Sequence, residues 1–389
     1  MSEFRVNSIT NQDGSAGPQV CGVSTFNGKS GVQIPSGSSE FRRLDGGGRG
    51  RMVTYGGAVP NYNSSMNAIE IRTTGSAVDF GDASDNSGFA SGMGSSTRGV
   101  FKQGRDSPGF SSKIEFVTFS SLGGVTDFGI DNGVSQDSSA SSADNTRGIF
   151  GNGTGYDKKI QFITLASTGD TNEFGDLLSG RYMGGGAGGA SPTRGFFFGG
   201  LVSGSPVGSN LIEFVTIQTL GNSVEFGNLT VGRRSIAAVT NATRAVSCSG
   251  DTPATNTMDF ITMASEGNAT DFGDITNQNG GYGAGGSSAT RGLISGCSPS
   301  NYNRIAYITI ASTGNAQDFG DITRQAVGYG AGGSSQTRGV ITGCSPSPDA
   351  TPIDFITIST TGNATNFGDT TYGSYLNGAC SDSHGGLTL

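Results

Sequence analysis

Few side chains in this sequence could do covalent or metal chemistry. His384 is the single histidine among 389 residues, so a Ser-His-Asp or Cys-His nucleophile would have to be assembled around it. Five cysteines, Cys21, Cys248, Cys297, Cys344 and Cys380, form no CxxC pair. Cys297 and Cys344 occupy one position of a repeat, Cys248 lies close to it, and other copies have Gly or Ser there. They read as small buried fillers in a reduced chain, not as a zinc or disulfide framework. Asp-Phe-Gly tripeptides begin at 79, 127, 271 and 318, but no kinase glycine-rich loop, lysine or H-R-D element accompanies them. GYGAGG at 281–286 and 328–333 and GGGAGGA at 184–190 loosely match a nucleotide fingerprint, without the helix needed to hold phosphates. No carboxylate pair stands apart as in a glycosidase, and there is no Trp to floor a sugar site. The expectation is a non-enzyme with no cofactor and no metal.

What positions these residues is a repeat. Residues 281–323 are written again almost unchanged at 328–370. Threonine-arginine-glycine markers place Arg98, Arg147, Arg194, Arg244, Arg291 and Arg338 in register, with Arg49 as an earlier degenerate copy. The Phe-Gly pairs at Phe80, Phe128, Phe174, Phe226, Phe272, Phe319 and Phe367 keep the same beat. Seven units of 47 to 50 residues match the kelch-like class of propeller blade and exceed helical repeats. Each unit holds four short candidate strands bounded by Gly, Ser, Asn or Pro. The third is the clearest, as in KIEFVTF at 113–119 and LIEFVTI at 211–217, apolar on both sides as a strand covered on both faces should be. The predicted fold is all-β: a seven-bladed kelch-like β-propeller, four antiparallel strands per blade, over 41–389, preceded by an extended N-terminal arm at 1–40. The chain enters blade 1 at its second strand (48–57), so the C-terminal segment is expected to supply the missing innermost strand and close the ring.

Composition fits a ring. The 68 glycines suit tight turns and crowded inner strands. A net charge of −8 argues against nucleic acid, no apolar run is long enough for membrane insertion, and MSEFRV does not read as a secretory signal. In such blades the 1→2 and 3→4 turns share one face and the 2→3 and 4→1 loops the other. The first set varies little between copies; the second varies in length and chemistry, which is where binding is expected. Candidate binding residues on that variable face are Tyr62, Asp106, Tyr156, Asp251, Tyr302 and Asp349. The repeated arginines, on the constant face, are expected to tether a repeated carboxylate or a turn carbonyl, the alternative being a ring of cations that holds an anion.

The blade resembles a kelch unit in its strand order but lacks the blade tryptophan, with TRG and DFGD in place of the usual anchors. The recurring T-R-G-(V/L/I)-(F/I), (I/F)-x-(F/Y)-(I/V)-T and G-N-A-x-(D/N)-F-G-D cassettes resemble propeller-like repeats of virion structural proteins of tailed phages, particularly those infecting cyanobacteria. VNSITNQDGSAGP and GVSTFNGKSGVQIPSGS resemble the leading segments of tail and fibre-associated proteins. The resemblance implies a structural protein located in the virion, attached to other virion proteins through residues 1–40. Tail, baseplate, fibre, neck and capsid-surface positions stay open. A host-surface polysaccharide is a possible partner of the variable loops, and a glycan-binding propeller lectin is the alternative reading.

Overall fold

The computed structural model describes residues 25–27, 31–33 and 50–382, except 59–60, 107–108, 133–138, 152, 154, 183–187, 276–283, 296–301, 327–330, 344–350 and 374–375. The described residues form strands and turns and no helix. Seven four-stranded antiparallel sheets follow one another along the chain, and their innermost strands neighbour one another in a closed circle. The fold is a seven-bladed β-propeller. Blade 2 shows the plan: Ser91–Gly94 innermost, then Arg98–Lys102, Lys113–Thr118, and Thr126–Ile130 at the rim. The apolar core is divided among the blade interfaces. Val100, Ile114 and Phe128 of blade 2, for example, pack against Phe150, Ile163 and Leu165 of blade 3, and one such cluster fills each of the seven interfaces. Of the segment read as an arm, the described part is a hairpin of Thr25–Asn27 and Gly31–Gln33. Cys297, Cys344 and His384 lie outside the described residues, whereas Cys248 is fully buried.

Blade 1 is completed from both ends of the ring, because Gly378–Ser381 pairs with Arg51–Ala58. The marker in this blade is Arg51, not Arg49: Arg51 opens the second strand as Arg98 does in blade 2. In the other blades a covalent turn joins strands 1 and 2, and the residue after strand 1 caps it. Ser95 Oγ accepts the Arg98 N–H at 3.1 Å, Asp144 Oδ1 that of Arg147 at 2.7 Å, and Asn241 Oδ1 that of Arg244 at 2.8 Å. In blade 1 this turn is cut in two, and Asp382 occupies the capping position. Its carboxylate accepts the N–H groups of Arg51 (2.7 Å) and Gly50 (3.0 Å), and its own N–H donates to the Arg51 carbonyl at 3.0 Å. A side chain thereby does what peptide bonds do elsewhere in the ring.

The constant face is constant because its two cassettes interlock between blades. The carbonyl of each Phe-Gly phenylalanine accepts a turn N–H of the next blade: Gly169 to Phe128 at 2.7 Å, Gly221 to Phe174 at 2.9 Å, and so on to Gly75 and Phe367 at 2.9 Å. Asn side chains of the same turns reinforce the contact, as where Asn268 Oδ1 accepts the Asn228 N–H at 3.0 Å. The following glycine lies at a register shift in the outer strand and must be bare. At Gly175 (φ +155°) a Cβ would come within 2.3 Å of the Gly221 carbonyl oxygen of the neighbouring blade.

Two stability outcomes follow. Gly175→Ala lowers the unfolding temperature more than Gly169→Ala. The two share a positive φ, +155° and +152°, but only the first meets backbone, adding an overpacking cost of about 1–3 kcal/mol. Equal losses in thermal melts would remove the interlock argument. Asp382→Ala costs about 0.5–2 kcal/mol, in line with loss of other side-chain caps, whereas Asp382→Asn, which copies Asn241, costs less; denaturant titration distinguishes them.

Candidate functional site

The repeated arginines recur in every blade. Each guanidinium reaches across to the next blade and donates to the carbonyl just after its third strand: Arg98 to Leu165 (3.1 Å), Arg147 to Ile217 (2.9 Å), Arg194 to Met263 (2.9 Å), Arg244 to Ile310 (2.9 Å), Arg291 to Ile358 (2.9 Å) and Arg338 to Ile71 (3.2 Å). Arg51 completes the circle on Phe119. In six blades the guanidinium also lies over the third-strand aromatic of its own blade, 4.4 Å from Phe116 and 4.2 Å from Phe260, and that ring meets the Phe-Gly phenylalanine edge-on. Blade 1 has Ala68 there, and Arg51 pairs with Glu70 instead. The acids expected as partners are engaged elsewhere: Asp79, Asp127, Asp271 and Asp318 each accept the N–H of their own glycine two residues on. Strand 3 and its aromatic stand between the arginine on strand 2 and the acid on strand 4, so the guanidinium turns to the neighbouring blade. Among the described residues, the carboxylates that pair with a marker arginine are Glu70 on Arg51 and Glu266, 3.8 Å from Arg194.

A second polar series runs nearer the variable face. The third strand of most blades carries one buried polar residue in an apolar run: Asn67, Glu115, Gln161, Glu213, Asp259 and Asp354. Where its partners are described, this residue fastens the linker arriving from the preceding blade. Asn67 Oδ1 accepts from Thr371 N–H at 2.8 Å; Glu115 accepts from Tyr55, Gln103 and the Ser84 N–H; Asp354 accepts from Thr323 Oγ1 at 2.6 Å and Arg324 at 3.2 Å. In blades 4 and 5 the partner is a fully buried arginine, Arg181 on Glu213 (3.0 Å) and Arg233 on Asp259 (2.8 Å). Burial pushes Glu213 above the usual carboxylate range despite Arg181 and Ser223, and pulls Arg181 below its ordinary value. Desolvation therefore outweighs pairing on both partners.

On the variable face the structure brings two candidates together. Tyr156 meets Tyr182 edge-on at 6.3 Å between centroids; the Arg234 guanidinium lies 5.2 Å from the Tyr182 ring; and Arg234 Nε donates to Asp251 Oδ1 at 2.8 Å. This string crosses blades 3, 4 and 5. Tyr62 stands apart, with its ring against the backbone of Gly88. Asp106 closes its own turn by accepting the Gly109 N–H at 3.1 Å. Nearby, Arg105 lies over Phe110 at 5.1 Å. Tyr302 opens the strand Tyr302–Thr309 and its side chain, like Asp349, lies outside the described residues. Sequence reasoning passed over Tyr182, Arg234 and the buried acids. The signals were there: a carboxylate recurring inside KIEFVT, LIEFVT and PIDFIT, and Gly-Arg at the sixth and seventh residues after Phe174 and again after Phe226.

Arg181→Met leaves Glu213 buried and unpaired, and costs about 3–5 kcal/mol, while Arg181→Met with Glu213→Leu recovers most of that loss. Because the folded-state carboxyl is already raised, its contribution is fullest below the unfolded value and is lost as pH rises through the folded one. The single variant therefore loses further stability from acid toward neutral pH; urea titrations showing no pH trend and no rescue would contradict this account.

No protein-family model matches the chain, and neither does any curated protein sequence. Among solved structures it is similar to that of the protein YjhT, with a TM-score of 0.56 and 10% identity, over 72% of this chain and 97% of the other. That likeness is one of fold alone: a β-propeller.

Proposed function

We propose that this chain is a non-enzymatic structural component of a phage particle, held through residues 1–40 to a tail, baseplate or fibre component, with its variable loops turned outward. The observation that carries this reading is where the chain joins the ring. Gly50 and Asp382 meet at the split turn of blade 1, on the constant face, so a tether at 1–40 is attached opposite the loops that vary. The cassettes that resemble phage virion repeats are the same ones that lock blade to blade, which is why they persist where the loops differ.

A second reading is a glycan-binding propeller, compatible with the first in a particle that touches a host surface. It is favoured by one observation: the half-exposed string of Tyr156, Tyr182, Arg234 and Asp251 on the variable face.

The test is complementation of particles that lack the chain. Full-length protein supplied during assembly is recovered in purified particles at a fixed low multiple of three or six by quantitative mass spectrometry. A chain without residues 1–40 folds to a ring of unchanged melting temperature and stays out of the particle. Incorporation of the truncated ring would overturn the arm as anchor, and absence of the full-length chain would overturn the virion reading.

A further inference from the structure

The part of this ring that departs from its repeat points to a ligand. Linkers between blades differ along the chain, but two consecutive ones are built alike. After Phe174 the chain runs to Gly180, Arg181 and Tyr182; after Phe226 it runs in the same register to Gly232, Arg233 and Arg234. The other five linkers lack this Gly-Arg. Both glycines are pressed against the 2→3 loop of the preceding blade: a Cβ on Gly180 would lie 1.8 Å from the Tyr156 carbonyl oxygen, and one on Gly232 would lie 2.2 Å from that of Gly208. Both arginines that follow are fully buried on the third-strand acid of the next blade. The side chain after each arginine is half-exposed on the variable face. Two similarly built pedestals thus hold Tyr182 and Arg234 next to each other, each resting on a fully buried arginine–carboxylate pair. Fixing a display residue on a rigid, buried support is how a preorganised binding site is made.

We propose that Tyr156, Tyr182, Arg234 and Asp251 form a binding subsite for a neutral pyranose. This deepens, and rests on, the glycan-binding reading. The half-exposed rings of Tyr156 and Tyr182, inclined at 67° to each other, offer the apolar C–H face of a sugar two aromatic walls that need little ordering. Arg234 and Asp251, joined at 2.8 Å with side chains 23% and 24% exposed, set donors beside acceptors at the spacing of neighbouring hydroxyls, which both donate and accept. The charge of Arg234 is offset by Asp251, and the chain carries −8 overall, so a sugar carboxylate or sulfate meets no net attraction. The string spans three blades, which suits one residue of an extended polysaccharide crossing the face.

The experiment is saturation-transfer difference NMR on the full chain with the methyl glycosides of glucose, galactose, mannose, rhamnose and N-acetylglucosamine, and with methyl glucuronide as the charged control. Transfer to the ring C–H protons of at least one neutral glycoside is expected, with affinity reduced on the order of tenfold in Tyr182→Ala and in Arg234→Lys, the scale of one aromatic or ion-pair contact. Phe110→Ala, at a separate exposed patch, leaves binding unchanged. Melting temperatures identify any variant that fails to fold, and Tyr156→Ala then replaces it. Neutral binding that survives in Tyr182→Ala and Arg234→Lys overturns this subsite and leaves the glycan reading standing; preference for the glucuronide overturns the neutral assignment; no transfer from any probe overturns both.

Discussion

One guanidinium per blade, bonded to a carbonyl of the next blade and in six of the seven laid over an aromatic ring, is the contact on which the ring depends. A four-stranded sheet with apolar faces cannot stand alone in water; it needs a neighbour on each side. The hydrophobic clusters supply the attraction but not the angle, because burial is non-directional. Direction comes from the arginine series and from the outer-strand carbonyls that accept the next blade's turn. Repeated around the circle, these bonds fix each blade's orientation to the next, and the small rotation they impose has to close after a whole number of units.

The same constraint explains which parts of the fold were legible in the sequence. The beat of Arg and Phe-Gly could be read directly, because those side chains set the blade-to-blade geometry and are repeated with it. Strand order and the supply of the innermost strand of blade 1 by the C-terminal segment followed from counting that beat. The partner of the arginines could not be read, since a backbone carbonyl leaves no trace in residue identity, while the acid of DFGD is conspicuous and belongs to its own turn. Arg51 was hidden for a related reason: its Thr and Gly companions are missing, and Asp382, more than three hundred residues away, replaces the turn that would have announced it.

The candidate site was legible only in pieces. Tyr156 and Asp251 stand out as loop residues, yet what joins them, Tyr182 and Arg234, lies in linkers whose sequence looks like spacer. Their placement depends on Arg181 and Arg233, residues that composition alone would assign to the surface. A buried arginine becomes visible as such only when its acid is recognised inside the third strand of the following blade, about thirty residues on. Symmetric features of this chain build the ring, and the two matching linkers in blades 3 to 5 mark where it ceases to be symmetric.

The split turn of blade 1 also has a mechanical side. Arg51–Ala58 begins at the constant face, where residues before it join the ring, and it is flanked by a paired strand on both sides, Gly378–Ser381 and Tyr62–Glu70. A pull on those preceding residues acts along this strand's own axis. The hydrogen bonds of two ladders then carry the load together in shear, where an edge strand pulled sideways would release them one at a time, and the ring meets tension with its seam in its strongest direction.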